Sequence, residues 1–179
     1  RLYVNTPNVD DRLVACFGDS EAPLVLESTS SPAWFQHPVP GAAFATDIDP
    51  AMYAGNPELQ FDSWFTIGAE DNTAAFDVIS LDDPTFEVFT AFEAGESIAV
   101  SSNIGAGWFA LPIESNVEMV AGEDKKVLIA QLTTAGEISG QIQVQIFLND
   151  DNTNEFKELL PINVVGPLEG CTDSLACNY

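Results

Sequence analysis

The run Ile138-Ser139-Gly140-Gln141-Ile142-Gln143-Val144-Gln145-Ile146-Phe147-Leu148 decides the fold class. Ile138, Ile142, Val144, Ile146 and Leu148 alternate with Ser139, Gln141, Gln143 and Gln145. Successive side chains of a strand point to opposite faces, so this period of two predicts a half-buried strand with a Gln-rich outer face. Outward from it the same signal repeats in short β-branched or aromatic runs: Leu13–Phe17, Leu24–Glu27, Phe61–Ile67, Ala75–Ser80, Phe86–Phe92, Ser97–Ser101, Trp108–Leu111, Val127–Thr133 and Leu159–Val165. Gly, Pro, Asn and Asp clusters separate them, including Gly18-Asp19, Asp82-Asp83-Pro84 and Asn149–Asn154.

About ten short strands at this spacing predict an all-β chain, an antiparallel β-sandwich or jelly-roll-like domain. No segment carries a sustained 3.6-residue period. Glu155–Leu160 and Pro50–Tyr53 are each read as a single helical turn. Residues 1–166 are expected to form the domain. Residues 167–179, behind Gly166-Pro167-Leu168-Glu169-Gly170, read as a linker and a short cysteine-containing tail.

Five Lys+Arg stand against 28 Asp+Glu, a formal net charge of −23 in 179 residues. Such a surface repels phosphate backbones and anionic lipid heads, so nucleic acid and membranes are poor partners, and cations are good ones. Hydrophobic residues make up 46% of the chain, enough for a core and too many for a disordered acidic tail. No apolar run reaches the roughly 18–20 residues of a membrane span. The charge suits salt-rich or divalent-rich water, where screening shortens self-repulsion to about 8–10 Å at 0.10–0.15 M ionic strength. Arg1 stands where a Met would begin a chain and no signal-peptide pattern follows, so a mature chain or a fragment is expected.

Cys16 lies in the run Leu13–Phe17, and Cys171 and Cys177 lie in the tail. An odd count leaves one thiol free or committed to another chain. Closure of Cys171 with Cys177, pairing of Cys16 with either, and a bond between neighbouring chains all stay open.

Gly170-Cys171-Thr172-Asp173-Ser174-Leu175-Ala176-Cys177-Asn178-Tyr179 resembles the start of the G-C-T-D-x-x-A-C-N-Y cysteine module. That module recurs in large secreted and cell-surface proteins of aquatic bacteria, Bacteroidetes especially, and of other marine microbes. In them it continues into an Asp-rich stretch ending in a third cysteine, which this sequence does not contain. Asp62–Asn72 and Gly107-Trp108-Phe109 resemble uncharacterised domains that accompany such modules. The resemblance implies an extracellular, disulfide-permissive setting and modular construction.

Four features of the sequence bear on chemistry. Phe17-Gly18-Asp19-Ser20 resembles the opening block of GDS-type serine hydrolases, but those enzymes need a late D-x-x-H histidine to take the serine proton. The one histidine, His37, lies early and outside such a motif, so Gly18-Asp19-Ser20 reads as a turn and no enzyme is expected. Zinc lacks ligands at workable spacing. Calcium has a better candidate: Asp150, Asn152 and Asn154 alternate as hard oxygen donors, although the turn glycine and twelfth-position acid of an EF-hand are missing. Trp34 and Phe35, in the Pro-rich stretch 32–57, are candidate ligand-contact residues, whereas Trp64 and Trp108 read as core.

Two functions follow as expectations. The leading one is an extracellular structural building block of a filament, sheath or repetitive adhesin. It would bind copies of itself through strand edges such as Arg1–Val4, through the tail, or through disulfides. The alternative is a calcium-assisted carbohydrate-binding module contacting a surface glycan through Trp34 and Phe35.

Overall fold

A computed structural model describes residues 1–85 and 87–164, so the expected domain boundary, Cys171 and Cys177 lie outside the described residues. The chain is all-β. Its strands are β1 (Leu2–Asn5), β2 (Arg12–Gly18), β3 (Leu24–Ser28), β4 (Trp64–Phe65), β5 (Ile79–Leu81), β6 (Ile98–Val100), β7 (Ala106–Phe109), β8 (Lys126–Gln131), β9 (Ile138–Phe147) and β10 (Glu155–Val164). One short helix, α1 (Val88–Glu93), precedes β6. Two antiparallel sheets form: a small one ordered β1-β8-β4, and a seven-stranded one ordered β5-β7-β2-β9-β3-β6 with β10 on the other edge of β9.

β9 is the hub of the larger sheet. One edge pairs with β10 over all ten residues, from Phe147 opposite Glu155 to Ile138 opposite Val164. Its other edge is shared: β2 takes Gln143–Phe147 and β3 takes Ile138–Gln141. Gly140 sits inside the stretch that β3 occupies. Its φ is +150°, and a Cβ there would lie 1.9 Å from the Val25 carbonyl oxygen, so neither the backbone nor the space admits a side chain.

The inward residues Ile142, Val144 and Ile146 are buried as the alternation requires. Facing sheets meet through aromatic rings. Phe65 of the small sheet stacks on Trp108 of the large one, with centroids 4.3 Å apart. Phe92 lies 4.2 Å from Phe65 on another side. The Trp108 indole N–H donates to the Thr66 carbonyl at 2.8 Å, satisfying a polar atom in an otherwise apolar contact. Trp64 and Trp108 are therefore core, as the sequence implies.

Three local expectations are corrected. Phe86–Phe92 was expected as a strand, yet Val88–Glu93 is helical, because a single turn sends Val88, Phe89 and Phe92 together into the aromatic cluster. Six residues are too few for a helical period to stand out. Glu155–Leu160, read as a helical turn, is instead strand throughout. Its Glu, Lys and Leu are good helix formers, but propensity yields to tertiary context, and the unbroken ladder with β9 overrides it. Of Phe61–Ile67 only Trp64–Phe65 joins a sheet and Pro57–Phe61 forms a 3₁₀ turn, and of Ala75–Ser80 only Ile79 and Ser80 join one; the helical turn read at Pro50–Tyr53 is present as the 3₁₀ turn Pro50–Ala54.

Gly140→Ala should destabilise the fold by about 3 kcal/mol or more in denaturant titration, combining a steric clash with positive-φ strain. Gly122→Ala is its control. Gly122 also has positive φ, but nothing lies within 4 Å of its added Cβ, so the loss should stay near 1 kcal/mol.

Candidate functional site

The two sheets differ in width, and the mismatch leaves one flank open. Residues directly opposite in an antiparallel pair share a face. The β10 residues opposite buried Ile146 and Ile142, Phe156 and Leu160, therefore point toward the side where the small sheet would cover them. The small sheet ends at β1 and does not reach that far. A groove remains between β1 and β10, lined by Val4, Asn5 and Pro7, by Phe156, Glu158 and Leu160 of β10, and by Val144, Ile146 and Leu148. Phe156 is 42% exposed, and Leu159, on the opposite face of β10, is 40% exposed. Among the described residues β1 and β10 are both edge strands, each with one unpaired row of main-chain N–H and C=O groups. Pro161, near the end of β10, has no N–H to offer to the ladder.

This flank is also electrostatically distinct. β9 carries no charged residue, and β10 carries Glu155, Lys157 and Glu158, a sum of −1 over the hairpin's twenty strand residues against −23 for the whole chain. Lys157 reaches Glu155 at 2.7 Å.

A polar clamp holds the hairpin turn. Asn149 and Asp150 both have positive φ, a conformation that Asn and Asp tolerate better than most residues. The turn hands its polar groups to the start of β2. The Asn149 N–H donates to Asp11 Oδ1 at 2.8 Å, and Arg12 Nη2 donates to Asp150 Oδ2 at 2.8 Å. Arg12 is only 3% exposed and also donates to the Asn116 carbonyl at 2.7 Å. This pairing holds the Asp150 carboxyl below its ordinary range. Of the candidate calcium set Asp150, Asn152 and Asn154, the one carboxylate is bound to a buried guanidinium. Asn152 and Asn154 sit on an exposed turn closed by Asp151, which accepts from the Thr153 N–H and hydroxyl. Among the described residues no three His, Cys, Asp or Glu side chains gather closely enough to hold a metal by themselves.

A second concavity lies at the Pro-rich stretch. Phe35, Phe61, Glu58, Ser30, Thr133 and Thr134 are among the residues lining an open groove of about 620 Å³. Trp34 does not reach it: the ring is 1% exposed and packs beside Phe92, so its reading as a contact residue is corrected. Phe35 is half-buried in the groove wall, and the second aromatic there is Phe61, 54% exposed. Phe61 was missed because it opens an apolar run that reads as strand. His37 sits half-buried beside this loop, with its ring turned onto the Val39 backbone. Cys16 is fully buried between β7 and β9, where burial pushes its thiol up. Gly18-Asp19-Ser20 forms the β2–β3 turn, with Asp19 accepting from the Glu21 and Ala22 N–H groups at 2.8 and 2.9 Å.

No helix among the described residues is long and apolar enough to cross a membrane. Searches against protein families, curated proteins and solved structures return no match to the chain.

Asp150→Asn should destabilise the protein by about 1–3 kcal/mol near neutral pH, less than a fully buried pair would because Asp150 is 45% exposed. A carboxyl held low contributes stability above its ordinary value of 3.8 and loses it as pH falls below that value. The gap between wild type and variant should therefore close in acid, read from denaturation midpoints across pH.

Proposed function

We propose that this chain is an extracellular structural building block that associates with copies of itself by strand addition at the β1–β10 flank. The observation that carries the reading is the uncovered inner face of β10 beside an open β1 edge. A strand from a second copy, laid against β1, would pair its main chain there and put apolar side chains onto Phe156 and Leu160. This is β-augmentation, in which main-chain bonds supply affinity and alternate side chains fill pockets.

Charge argues for a second copy of this chain approaching along this surface. Two molecules at −23 repel over most orientations. The β9–β10 hairpin, with a sum of −1, is a stretch where that repulsion is low, although Glu158 lines the groove itself. The cysteine-module resemblance of residues 170–179 supports the extracellular setting and a modular assembly. A carbohydrate-binding module is the second reading. It is favoured by one observation, the groove in which Phe35 and Phe61 offer ring faces beside the hydroxyl-bearing residues Ser30, Thr133 and Thr134.

Sedimentation velocity and negative-stain microscopy across ionic strength test the leading reading. Wild type should associate more strongly as salt rises, because screening removes repulsion and leaves apolar contact. Phe156→Asp, placed at an already exposed position, should remain monomeric with an unchanged melting temperature. A wild type that stays monomeric at high protein and salt concentration, or a Phe156→Asp variant that assembles equally well, overturns the proposal. Glycan-array binding lost in Phe61→Ala would then establish the second reading.

A further inference from the structure

The 3₁₀ turn Pro57–Phe61 carries a carboxylate and an aromatic ring into the same groove. Side chains three apart in a 3₁₀ turn eclipse one another, so Glu58 and Phe61 leave the turn on one side. Leu59, between them, is fully buried and anchors the turn to the body. The Gln131 side chain holds the far end, its Nε2 donating to the Gln60 and Asp62 carbonyls at 3.0 and 2.9 Å. Glu58 and Phe61 line the open concavity of about 620 Å³ together with Pro32 and Phe35. Phe35 is fixed through its backbone: its N–H donates to the Thr133 carbonyl at 2.8 Å, and its carbonyl accepts from the Ser63 N–H at 3.1 Å. The rings are thus placed before any ligand arrives, which lowers the ordering cost of binding.

The hydroxyls beside the rings are largely bound to one another. Thr134 Oγ1 lies 2.7 Å from Ser28 Oγ and 2.9 Å from Ser30 Oγ, and the Ser30 hydroxyl donates to the Pro32 carbonyl at 2.6 Å. None of the residues lining the groove belongs to a strand, so an extended peptide laid there would find no ladder for its own main chain. A ligand that suits the groove brings an apolar face to the rings and keeps its polar groups toward water. A pyranose is built this way, with C–H bonds on its faces and hydroxyls around its rim.

Charge narrows the class of sugar. Glu58 is the one charged residue lining this concavity. A second concavity, of about 490 Å³, shares Ser30, Ser31 and Pro32 with the first and is again lined by one charged residue, Glu96. Both acids are exposed, and neither joins an ion pair among the described residues. An anionic sugar would meet repulsion here and on the surrounding surface of a chain at −23. An uncharged sugar leaves the carboxylates unused. A protonated amine gives them a partner and is also attracted to an aromatic face.

We infer that this groove binds a glycan of amino sugars with free, protonated amines, Phe35 and Phe61 receiving the sugar rings and Glu58 the ammonium. Glu96 offers a longer oligomer a second carboxylate. The inference rests on the carbohydrate reading of the groove and is independent of strand addition at the β1–β10 flank.

The test is calorimetry of the full chain in mildly acidic, low-salt buffer against the β-1,4-linked tetramers of glucosamine, N-acetylglucosamine and glucose, with tetralysine as a cation that lacks a sugar ring. The glucosamine tetramer should bind best, and its advantage should shrink as salt rises. Glu58→Gln should weaken it about two- to fivefold, the range of an exposed ion pair, and leave the other two sugars unchanged. Phe61→Ala should weaken every sugar that binds about tenfold. Glu123→Gln, at an exposed acid outside both concavities, controls for the general acidity of the surface and should change nothing. All three substitutions fall on exposed side chains, so an unchanged melting temperature verifies that each variant is folded. Equal binding of the three tetramers, or a glucosamine preference undiminished in Glu58→Gln, overturns the amino-sugar assignment and leaves the carbohydrate reading standing. Tetralysine that binds as tightly as the glucosamine tetramer and responds to the same variants overturns it in favour of a cationic peptide. Absence of binding by every tetramer overturns the carbohydrate reading and this inference together.

Discussion

The continuous pairing of β9 along both of its edges is the constraint on which the larger sheet rests. One strand serves β10 for its full length and divides its other edge between β2 and β3. Its inner face supplies Ile142, Val144 and Ile146 to the core, and its outer face carries the glutamines. The same arrangement sends β10 beyond the shelter of a small sheet only three strands wide. The open flank is therefore a consequence of how the core is built. Covering the inner face of β10 requires a strand that the described chain does not place there.

Charge gives the molecule its second organising principle. With five basic residues for 28 acids, each cation is committed. Arg12 is spent in the interior, where it ties the β9–β10 turn to the start of β2 and so fixes the angle at which the hairpin leaves the body. The near-neutral hairpin and the buried Asp62 carboxylate, held by the His37 and Ser63 N–H groups rather than by a lysine or arginine, both reflect this scarcity.

Much of the fold was legible because a strand's side-chain period is local. Ile138–Leu148 announces a sheet in its alternation, Leu13–Phe17 and Val127–Thr133 do so as short apolar runs, and the turn residues at Gly18-Asp19 and Asn149–Asn154 mark where strands reverse. The candidate sites were less legible. Asp150 looks like a ligand when only its neighbours are considered, and Arg12, 138 positions earlier, takes it. Trp34 in a Pro-rich loop looks exposed, yet Phe92 of α1 packs beside it. The burial of Asp62 carries no local signal, since the His37 N–H that it accepts lies 25 positions earlier.

The sequence by itself determined an all-β chain, its turns, its acidity and its apolar face patterns, because each depends on residue type and short-range period. Tertiary structure alone decided which edges stay open, which acids lose their solvent and which aromatic rings reach it. Those outcomes depend on what the folded chain brings within a few ångströms. Burial and pairing are properties of neighbours in space, and here the decisive neighbours lie tens to more than a hundred residues apart.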